Sequence, residues 1–291
     1  MRSLLLFLAI VSGLSTFAQS GTEIYLFDLI VSDDGVSITN GRNITNRPGY
    51  DNQAYFHHHL PVIYYASIDE SERSDIKSFN YQTGETKRFT QTSEREYSPT
   101  LTPDNDFISC IIQRDNGAQD LGKYPITGGK AEVLIDDLTV GYHSWVDENR
   151  LLMFVLGEPH ELHLFDIPAA EDQIIHKNIG RSLHRIPGQR AMSFVDKSDS
   201  TQWKLIRLDM QTFDKRIIAD LPAGREDVCW TQDGQLLLSQ ADHLLFYQPG
   251  STKGWEKVRV EGKSGMLKGI TRIAVNPVND KITVVVSEEG D

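Results

Sequence analysis

The sequence repeats one plan of apolar and polar positions six times: a short strand-like run, a turn rich in Pro, Gly, Asn or Asp, and a second apolar run. Apolar runs bounded by such turn residues predict pairs of antiparallel strands. The equivalent residues near the ends of the first runs are Phe56, Leu101, Trp145, Ile186, Trp230 and Val275. The second strands are predicted at residues 62–65, 107–112, 151–156, 191–195, 236–238 and 282–286.

These equivalent positions recur every 41 to 45 residues, and a further hairpin follows the first five pairs. The hairpins are predicted at 75–80 with 86–89, 121–126 with 131–135, 162–167 with 173–176, 203–208 with 215–218, and 243–247 with 256–260. Four strands in each repeat of this length are typical of a β-propeller blade. The pattern therefore predicts an all-β fold, a six-bladed β-propeller, with a pair of β-sandwiches as the alternative.

The two ends of the chain predict how the ring closes. The sixth pair, which ends at 282–286, has no hairpin after it, whereas 23–29 and 36–39 form a hairpin without an inner pair. Joining the two completes a sixth blade and leaves no open sheet edge. We therefore expect residues 20–291 to form one propeller domain, closed by its N-terminal hairpin.

The first 19 residues have the pattern of a secretory signal peptide. Arg2 precedes an apolar run at 4–11, and Thr16 and Ala18 place small residues at a cleavage site. The apolar run is too short to span a bilayer, as is every later one. No cysteine stands at the cleavage site for a lipid anchor. We therefore predict that residues 1–19 are removed and that the protein is periplasmic or secreted.

Charge and cysteine content narrow the functional classes. Lys and Arg number 29 against 41 Asp and Glu, a net charge of −12. This balance argues against binding to nucleic acid or to an anionic membrane surface. Cys110 and Cys229 each lie in an apolar run and are predicted to be buried free thiols. We expect a monomer without a cofactor.

Several turns resemble those of the TolB-like propeller repeat, which has a Ser-Pro-Asp-Gly turn. The residues that carry the resemblance are 102–104 (Thr-Pro-Asp), 231–234 (Thr-Gln-Asp-Gly) and 43–52. It extends over about residues 22–288 and implies a six-bladed propeller in the bacterial envelope. TolB has an additional α/β domain before its propeller, and prolyl oligopeptidases carry a Gly-x-Ser-x-Gly hydrolase domain. We expect neither here, so the resemblance leaves the activity open.

The candidate site is the channel mouth at which the innermost strands begin. In a propeller these strand starts and the loops between the second and third strands share one face, and binding groups commonly lie on the loops of a rigid scaffold. The predicted mouth carries many charges and two tyrosines. Its candidate ligand-binding residues are Asp51, Glu96, Tyr97, Arg114, Tyr142, His143, Arg181, His184, Arg225, Glu226, Asp227 and Arg272.

Two functional hypotheses follow. The first is a non-catalytic scaffold that binds an envelope or extracellular protein or peptide. The second is a carbohydrate-active enzyme acting on an oligosaccharide, because oligogalacturonate lyases have a similar propeller with a metal held largely by histidines. This lyase or hydrolase would use His143 and His184 with a carboxylate of Glu96, Glu226 or Asp227, with or without a metal. The three consecutive histidines at 57–59 diverge within a turn, are predicted to be exposed on the opposite face and are not assigned to a metal. Trp145 and Trp230 occupy one repeat position and are predicted to be core residues.

Overall fold

The structure, a computed structural model, describes residues 21–32, 35–69, 72–262 and 265–288. These residues contain 25 strands in six sheets and no α-helix. The predicted six-bladed β-propeller is therefore confirmed. The predicted signal peptide, residues 1–19, lies outside the described residues. No helix in the described ranges has the length and apolarity that crossing a bilayer requires.

The strands are numbered along the chain. The chain begins with β1 (Thr22–Ser32) and β2 (Gly35–Asn43). Blade 1 contains β3 (Asp51–Phe56), β4 (Val62–Ile68), β5 (Ser74–Asn80) and β6 (Thr86–Arg88). Blade 2 contains β7 (Arg95–Leu101), β8 (Phe107–Gln113), β9 (Gln119–Pro125) and β10 (Glu132–Ile135). Blade 3 contains β11 (Val140–Trp145), β12 (Arg150–Val155), β13 (Glu161–Asp166) and β14 (Glu171–Lys177).

Blade 4 contains β15 (Ile179–Arg185), β16 (Ala191–Asp196), β17 (Lys204–Asp209) and β18 (Lys215–Asp220). Blade 5 contains β19 (Val228–Trp230), β20 (Leu236–Gln240), β21 (His243–Tyr247) and β22 (Glu256–Lys257). The last strands are β23 (Arg259–Val260), β24 (Ile270–Val275) and β25 (Lys281–Ser287). In every blade the strands follow one another outward from the channel, each hydrogen-bonded to the next. The four strands that form a blade pair antiparallel, as in blade 3.

The N-terminal hairpin closes the ring, as the chain ends predicted. β1 pairs antiparallel with β25 from Thr22 opposite Ser287 to Asp28 opposite Lys281. Blade 6 therefore has the order β24, β25, β1, β2. The side chains of Ile24 and Phe27 on β1 are buried, so the hairpin contributes to the core as well as covering an edge.

The last outer strand differs from the prediction. The predicted strand 256–260 is divided: β22 pairs with β21, whereas β23 pairs in parallel with β2 of blade 6. Val258 stands between the two short strands, and its buried side chain joins the apolar cluster between blades 5 and 6. Burying this one apolar residue where the chain crosses between blades explains why the strand does not continue on blade 5.

The hydrophobic core lies between the blades rather than at the centre of the ring. A buried cluster fills each of the six junctions between neighbouring blades. The second strands are buried on both faces, which explains their nearly continuous apolar runs. Cys110 and Cys229 are both free and buried, as predicted.

Trp145 and Trp230 are core residues that join neighbouring blades. Both are buried. Trp145 Nε1 donates a hydrogen bond to Ser109 Oγ of blade 2 at 2.9 Å, and Trp230 Nε1 donates to Ser193 Oγ of blade 4 at 2.9 Å. Their shared position in the repeat therefore reflects one structural role, used at two blade junctions.

Candidate functional site

A cavity of about 770 Å³ follows the central channel and is lined by the innermost strands of all six blades. We call its two openings the upper and lower mouths. At the upper mouth, near the strand starts, lie Tyr142, Arg181, Asp227 and Arg272. At the lower mouth, formed by the ends of these strands and the turns after them, lie His58, Pro103, Arg185, Gln189, Arg190, Gln232 and Pro277.

Irregular pairing near the strand starts helps to set the upper mouth. The register between the first two strands shifts between Val140 and Tyr142 in blade 3, and between Ile270 and Arg272 in blade 6. Similar shifts occur in blades 1, 2 and 4. A bulge adds a residue to one strand and redirects the side chains beside it. In this way Tyr142 and Arg272, from blades on different sides of the ring, come to face one another.

Asp227 is the centre of a connected ionic cluster at the upper mouth. It accepts hydrogen bonds from Arg181 Nε and Nη2 at 3.1 and 2.8 Å and from Arg272 Nη1 at 2.9 Å. Arg272 Nη2 donates to the Tyr142 hydroxyl at 2.8 Å, and its guanidinium lies 5.4 Å from the centroid of that ring. Side chains from blades 3, 4, 5 and 6 are thereby held in one geometry. We call these four residues the upper-mouth cluster.

The upper-mouth cluster is partly buried and carries more positive than negative charge. Arg181, Arg272 and Asp227 have side-chain exposures of 32%, 19% and 14%. Burial opposes the charge of Arg181, but the hydrogen bonds and charge of Asp227 outweigh it and raise the pKa of the guanidinium. Two guanidinium groups share one carboxylate here, so an incoming acceptor would meet donors that are already positioned.

Glu226 supports this cluster from behind. Its carboxylate accepts a hydrogen bond from the backbone N–H of Arg181 at 3.0 Å and lies 3.1 Å from Lys197 Nζ. Gly180 makes this approach possible, because a Cβ at that position would lie 2.4 Å from Glu226 Oε2. Glu226 therefore fixes the backbone from which the Arg181 side chain projects.

The two candidate histidines line the cavity wall but contact no carboxylate in the described residues. His143 Nε2 lies 2.7 Å from Ser109 Oγ, while its Nδ1 is buried without a partner. Burial lowers the pKa of His143 to about 3 and that of His184 to about 4, although a hydrogen bond to the Val228 backbone opposes the shift in His184. Both rings are therefore neutral near pH 7.

The donors at this mouth do not fit a histidine-rich metal site. Across the described ranges, no three His, Cys, Asp or Glu side chains lie close enough together to hold one metal ion. His143 is bound to a hydroxyl group, and Asp227 is occupied by two guanidinium groups.

Asp51 and Glu96 are buried between strands and do not reach the channel. Asp51 pairs with Arg47 at 2.8 Å. Glu96 accepts hydrogen bonds from Thr92 Oγ1 at 2.6 Å and Tyr124 OH at 2.9 Å. Burial raises the pKa of both carboxyl groups, against these hydrogen bonds. Asp51 and Glu96 therefore form polar contacts inside the protein rather than at the channel mouth.

The other three predicted residues also lie outside the cavity lining. Tyr97 packs at the junctions around blade 2, where burial raises its pKa. Arg114 pairs with Asp120 at 2.7 Å and Glu94 at 3.4 Å on an outer loop. Arg225 is half-buried and precedes Glu226 on the loop into blade 5. The structure thus brings Tyr142, Arg181, Asp227 and Arg272 together, with Glu226 behind them.

Sequence reasoning missed Tyr50. Its side chain is buried, and burial raises the pKa of its hydroxyl, with smaller effects from Tyr142, Arg272 and Arg181. Tyr50 directly precedes the first inner strand, in the same part of its repeat as the predicted mouth residues of other blades. That position is the signal by which it could have been found.

The three consecutive histidines form a turn at the lower face, as predicted. His57 is buried, and its Nδ1 accepts hydrogen bonds from the backbone N–H groups of His59 and Leu60 at 3.0 and 3.2 Å. His58 interacts with the Tyr55 hydroxyl and the Asn105 side chain, and His59 is exposed. The His59 ring packs edge-on against the rings of His57 and His58, with centroid distances of 6.4 and 6.3 Å. Because His57 is buried, the turn is only partly exposed, whereas the sequence predicted an exposed turn.

The fold and the channel define a six-bladed β-propeller with a charged channel mouth. No family model matches the sequence. The comparison with curated proteins also found no match. Among solved structures, the protein assigned as TolB from Agrobacterium tumefaciens is similar, with a TM-score of 0.70 and 12% identity over 94% of this chain and 100% of that one. The fold is therefore that of the TolB-like propellers.

Other solved structures share this fold with different functions. An oligogalacturonate lyase in complex with manganese matches with a TM-score of 0.60 and 12% identity, over 88% of this chain and 84% of that one. A chain of a nidogen–laminin complex matches with a TM-score of 0.64 and 13% identity, over 82% of this chain and 94% of that one. At this identity the similarity defines the fold alone.

Proposed function

We propose that this protein is a non-catalytic binding propeller of the periplasm or the cell exterior, which holds a protein or peptide at its upper mouth. The observation that carries the proposal is the upper-mouth cluster, in which four blades fix two guanidinium groups and a phenol at the rim of a cavity. Donors that are held in place before binding lose little freedom on binding. A concave surface with a few fixed polar groups is the usual form of a ligand site.

The alternative, a carbohydrate-active enzyme that depends on His143 and His184, has less support. A general base works best with a pKa near the operating pH, whereas burial lowers these pKa values to about 3 and 4. Asp227, the carboxylate at the mouth, is already bound by the guanidinium groups of Arg181 and Arg272. Among the similar structures, the nidogen–laminin complex is one in which two proteins are bound to each other. Because another similar structure is a lyase, the test below also measures cleavage of an oligosaccharide.

The test is selection of peptides from a random library on the purified protein, followed by affinity measurements. We expect selected peptides to bind less tightly to Arg272→Gln, which removes a donor from the upper-mouth cluster. Arg225→Gln is the matched control, because it makes the same charge change on the same face outside the cavity. Equal affinity for both variants would contradict the proposal. Cleavage of trigalacturonate without any peptide enrichment would favour the enzyme instead.

The export proposal has its own test. The pattern of residues 1–19 supports removal of this segment by cleavage near Ala18. Expression of the full chain in a bacterium, followed by cell fractionation and N-terminal sequencing, should give an exported protein that begins at Gln19 or Ser20. A cytoplasmic protein that retains Arg2 would contradict it.

A further inference from the structure

The lower mouth has its own recess. A second cavity of about 490 Å³ lies between blades 3 and 4 and adjoins the channel. Arg185, Gln189 and Arg190 line both cavities. Arg185 ends the inner strand of blade 4, and Gln189 and Arg190 belong to the turn that follows. One strand end and its turn therefore place two cations beside the end of the channel.

These two cations are unpaired, in contrast to those of the upper mouth. Within the described parts of the chain, both side chains are exposed, and neither guanidinium has a hydrogen-bonding or ion-pairing partner. The carboxylate on the wall of the second cavity, Asp147, is already bound by Arg150 through Nε at 2.9 Å and Nη2 at 2.7 Å. A protein with a net charge of −12 thus presents an uncompensated positive site in a recess.

The neighbouring polar groups leave room for an acceptor rather than a donor. Gln189 Oε1 accepts a hydrogen bond from Arg207 Nε at 3.0 Å, so the amide N–H₂ of Gln189 remains to donate. His58, across the channel, has both ring nitrogens engaged by Tyr55 and Asn105. The recess therefore provides two guanidinium groups and one amide N–H₂ group, all of which can donate hydrogen bonds to acceptor oxygens.

We propose that the lower mouth is a second binding site, distinct from the upper mouth, that takes a carboxylate of an acidic peptide between Arg185 and Arg190. Guanidinium groups match the planar carboxylate and form charge-assisted hydrogen bonds with it. An extended segment reaches this site from the lower face, with the Gln189 amide as an additional donor. This site is independent of the partner proposed for the upper mouth.

A peptide fits the recess better than an acidic sugar. Sugar sites use free aromatic faces, and the aromatic rings along this channel are engaged within the protein. Trp145 and Trp230 are packed between blades. The Arg272 guanidinium lies 5.4 Å from the centroid of the Tyr142 ring, and the Tyr55 ring packs against His58 with centroids 6.1 Å apart. What remains at the lower mouth is charge and hydrogen-bonding capacity.

The test measures binding of a fluorescent peptide, Ala-Ala-Ala-Glu-Glu with a free C-terminus, by anisotropy at low and high salt. The variant Arg185→Gln/Arg190→Gln should weaken binding by about tenfold or more, since two charge-assisted contacts are lost. The matched control is Arg216→Gln/Arg259→Gln, which removes the same charge from exposed outer-strand positions. Its affinity should equal that of the wild type. Thermal melts of both variants should match the wild type.

A charge-reversal variant provides a gain of binding, which a damaged or misfolded protein would not show. Arg185→Glu/Arg190→Glu should bind a peptide ending in Lys-Lys that the wild type does not bind. If Arg185→Gln/Arg190→Gln and Arg216→Gln/Arg259→Gln weakened peptide binding equally, binding would depend only on the net charge of the surface, and the proposal would be overturned. So would the absence of saturable binding to the wild type, or binding of trigalacturonate in preference to the acidic peptide. Peptide affinity of Arg272→Gln separates this site from the upper mouth, because that variant should keep it.

Discussion

Lowering the pH should destabilise the propeller through His143, and the substitution His143→Gln isolates this effect. Ser109 Oγ lies 3.0 Å from the Thr100 carbonyl oxygen and 2.9 Å from Trp145 Nε1. If Ser109 donates its proton to Thr100, it accepts from both Trp145 and His143, and His143 carries its proton on Nε2. A second proton on Nδ1 would then be buried without an acceptor.

The size of the effect follows from the two pKa values. Burial lowers the pKa of His143 to about 3 in the folded protein, against about 6.5 for an unfolded histidine. The unfolded state therefore binds more protons between these values, and stability is lost as the pH falls through this window. At pH 4.5 this single residue should lower the free energy of unfolding by about 3 kcal/mol relative to pH 7.5.

Urea unfolding at pH 7.5 and 4.5, followed by tryptophan fluorescence, measures the effect. The wild type should lose more stability on acidification than His143→Gln, and the difference should be about 3 kcal/mol. A glutamine amide can still donate to Ser109 but does not titrate. His59→Gln, on an exposed turn, is the control and should behave like the wild type. Equal acid sensitivity of the wild type and His143→Gln would mean that His143 does not cause the loss of stability.

Three further predictions test the fold and the support of the upper mouth. Deleting residues 20–40 should cause aggregation or unfolding in size-exclusion and melting experiments, because it removes β1 and most of β2 and exposes the edge of β25; a stable monomer would contradict closure by the N-terminal hairpin. Trp230→Phe should lower the free energy of unfolding by about 1 kcal/mol through loss of its hydrogen bond to Ser193. The double variant Trp230→Phe/Ser193→Ala should lose much less stability than the sum of the losses in the two single variants. Gly180→Ala should displace Glu226, since the new Cβ would lie 2.4 Å from its Oε2; a crystal structure with Glu226 still 3.0 Å from the Arg181 backbone N–H would show the reasoning to be wrong.

The strands and the closure of the ring were predictable because their signals are local and repeated. A strand buried on both faces requires an apolar run such as 107–112, and a hairpin requires turn residues between such runs. Repetition at 41 to 45 residues then counts the blades. The unpaired hairpin at 23–39 predicted the closure because the ring has one gap, into which it fits.

The upper-mouth cluster was only partly predictable, because equivalent repeat positions need not face the same way. Glu96 and Arg225 have the sequence pattern of mouth residues, yet Glu96 turns inward to Tyr124 and Arg225 stays outside the cavity. Arg272 and Tyr142 are 130 positions apart along the chain and are joined only when the ring brings blades 3 and 6 to the channel.

The order of residues along the chain is enough to predict the architecture: six four-stranded blades, the position of their turns, the tryptophans of the core and the closure by the N-terminal hairpin. Which charges meet is set only when the blades pack into the ring. This packing leaves Arg185 and Arg190 unpaired, joins Arg181 and Arg272 through Asp227, and places His143 against Ser109. The two kinds of feature differ because they depend on interactions over different distances along the chain. Strand formation depends on neighbours along the chain, whereas hydrogen bonds between blades depend on bulges and packing that act across the whole ring.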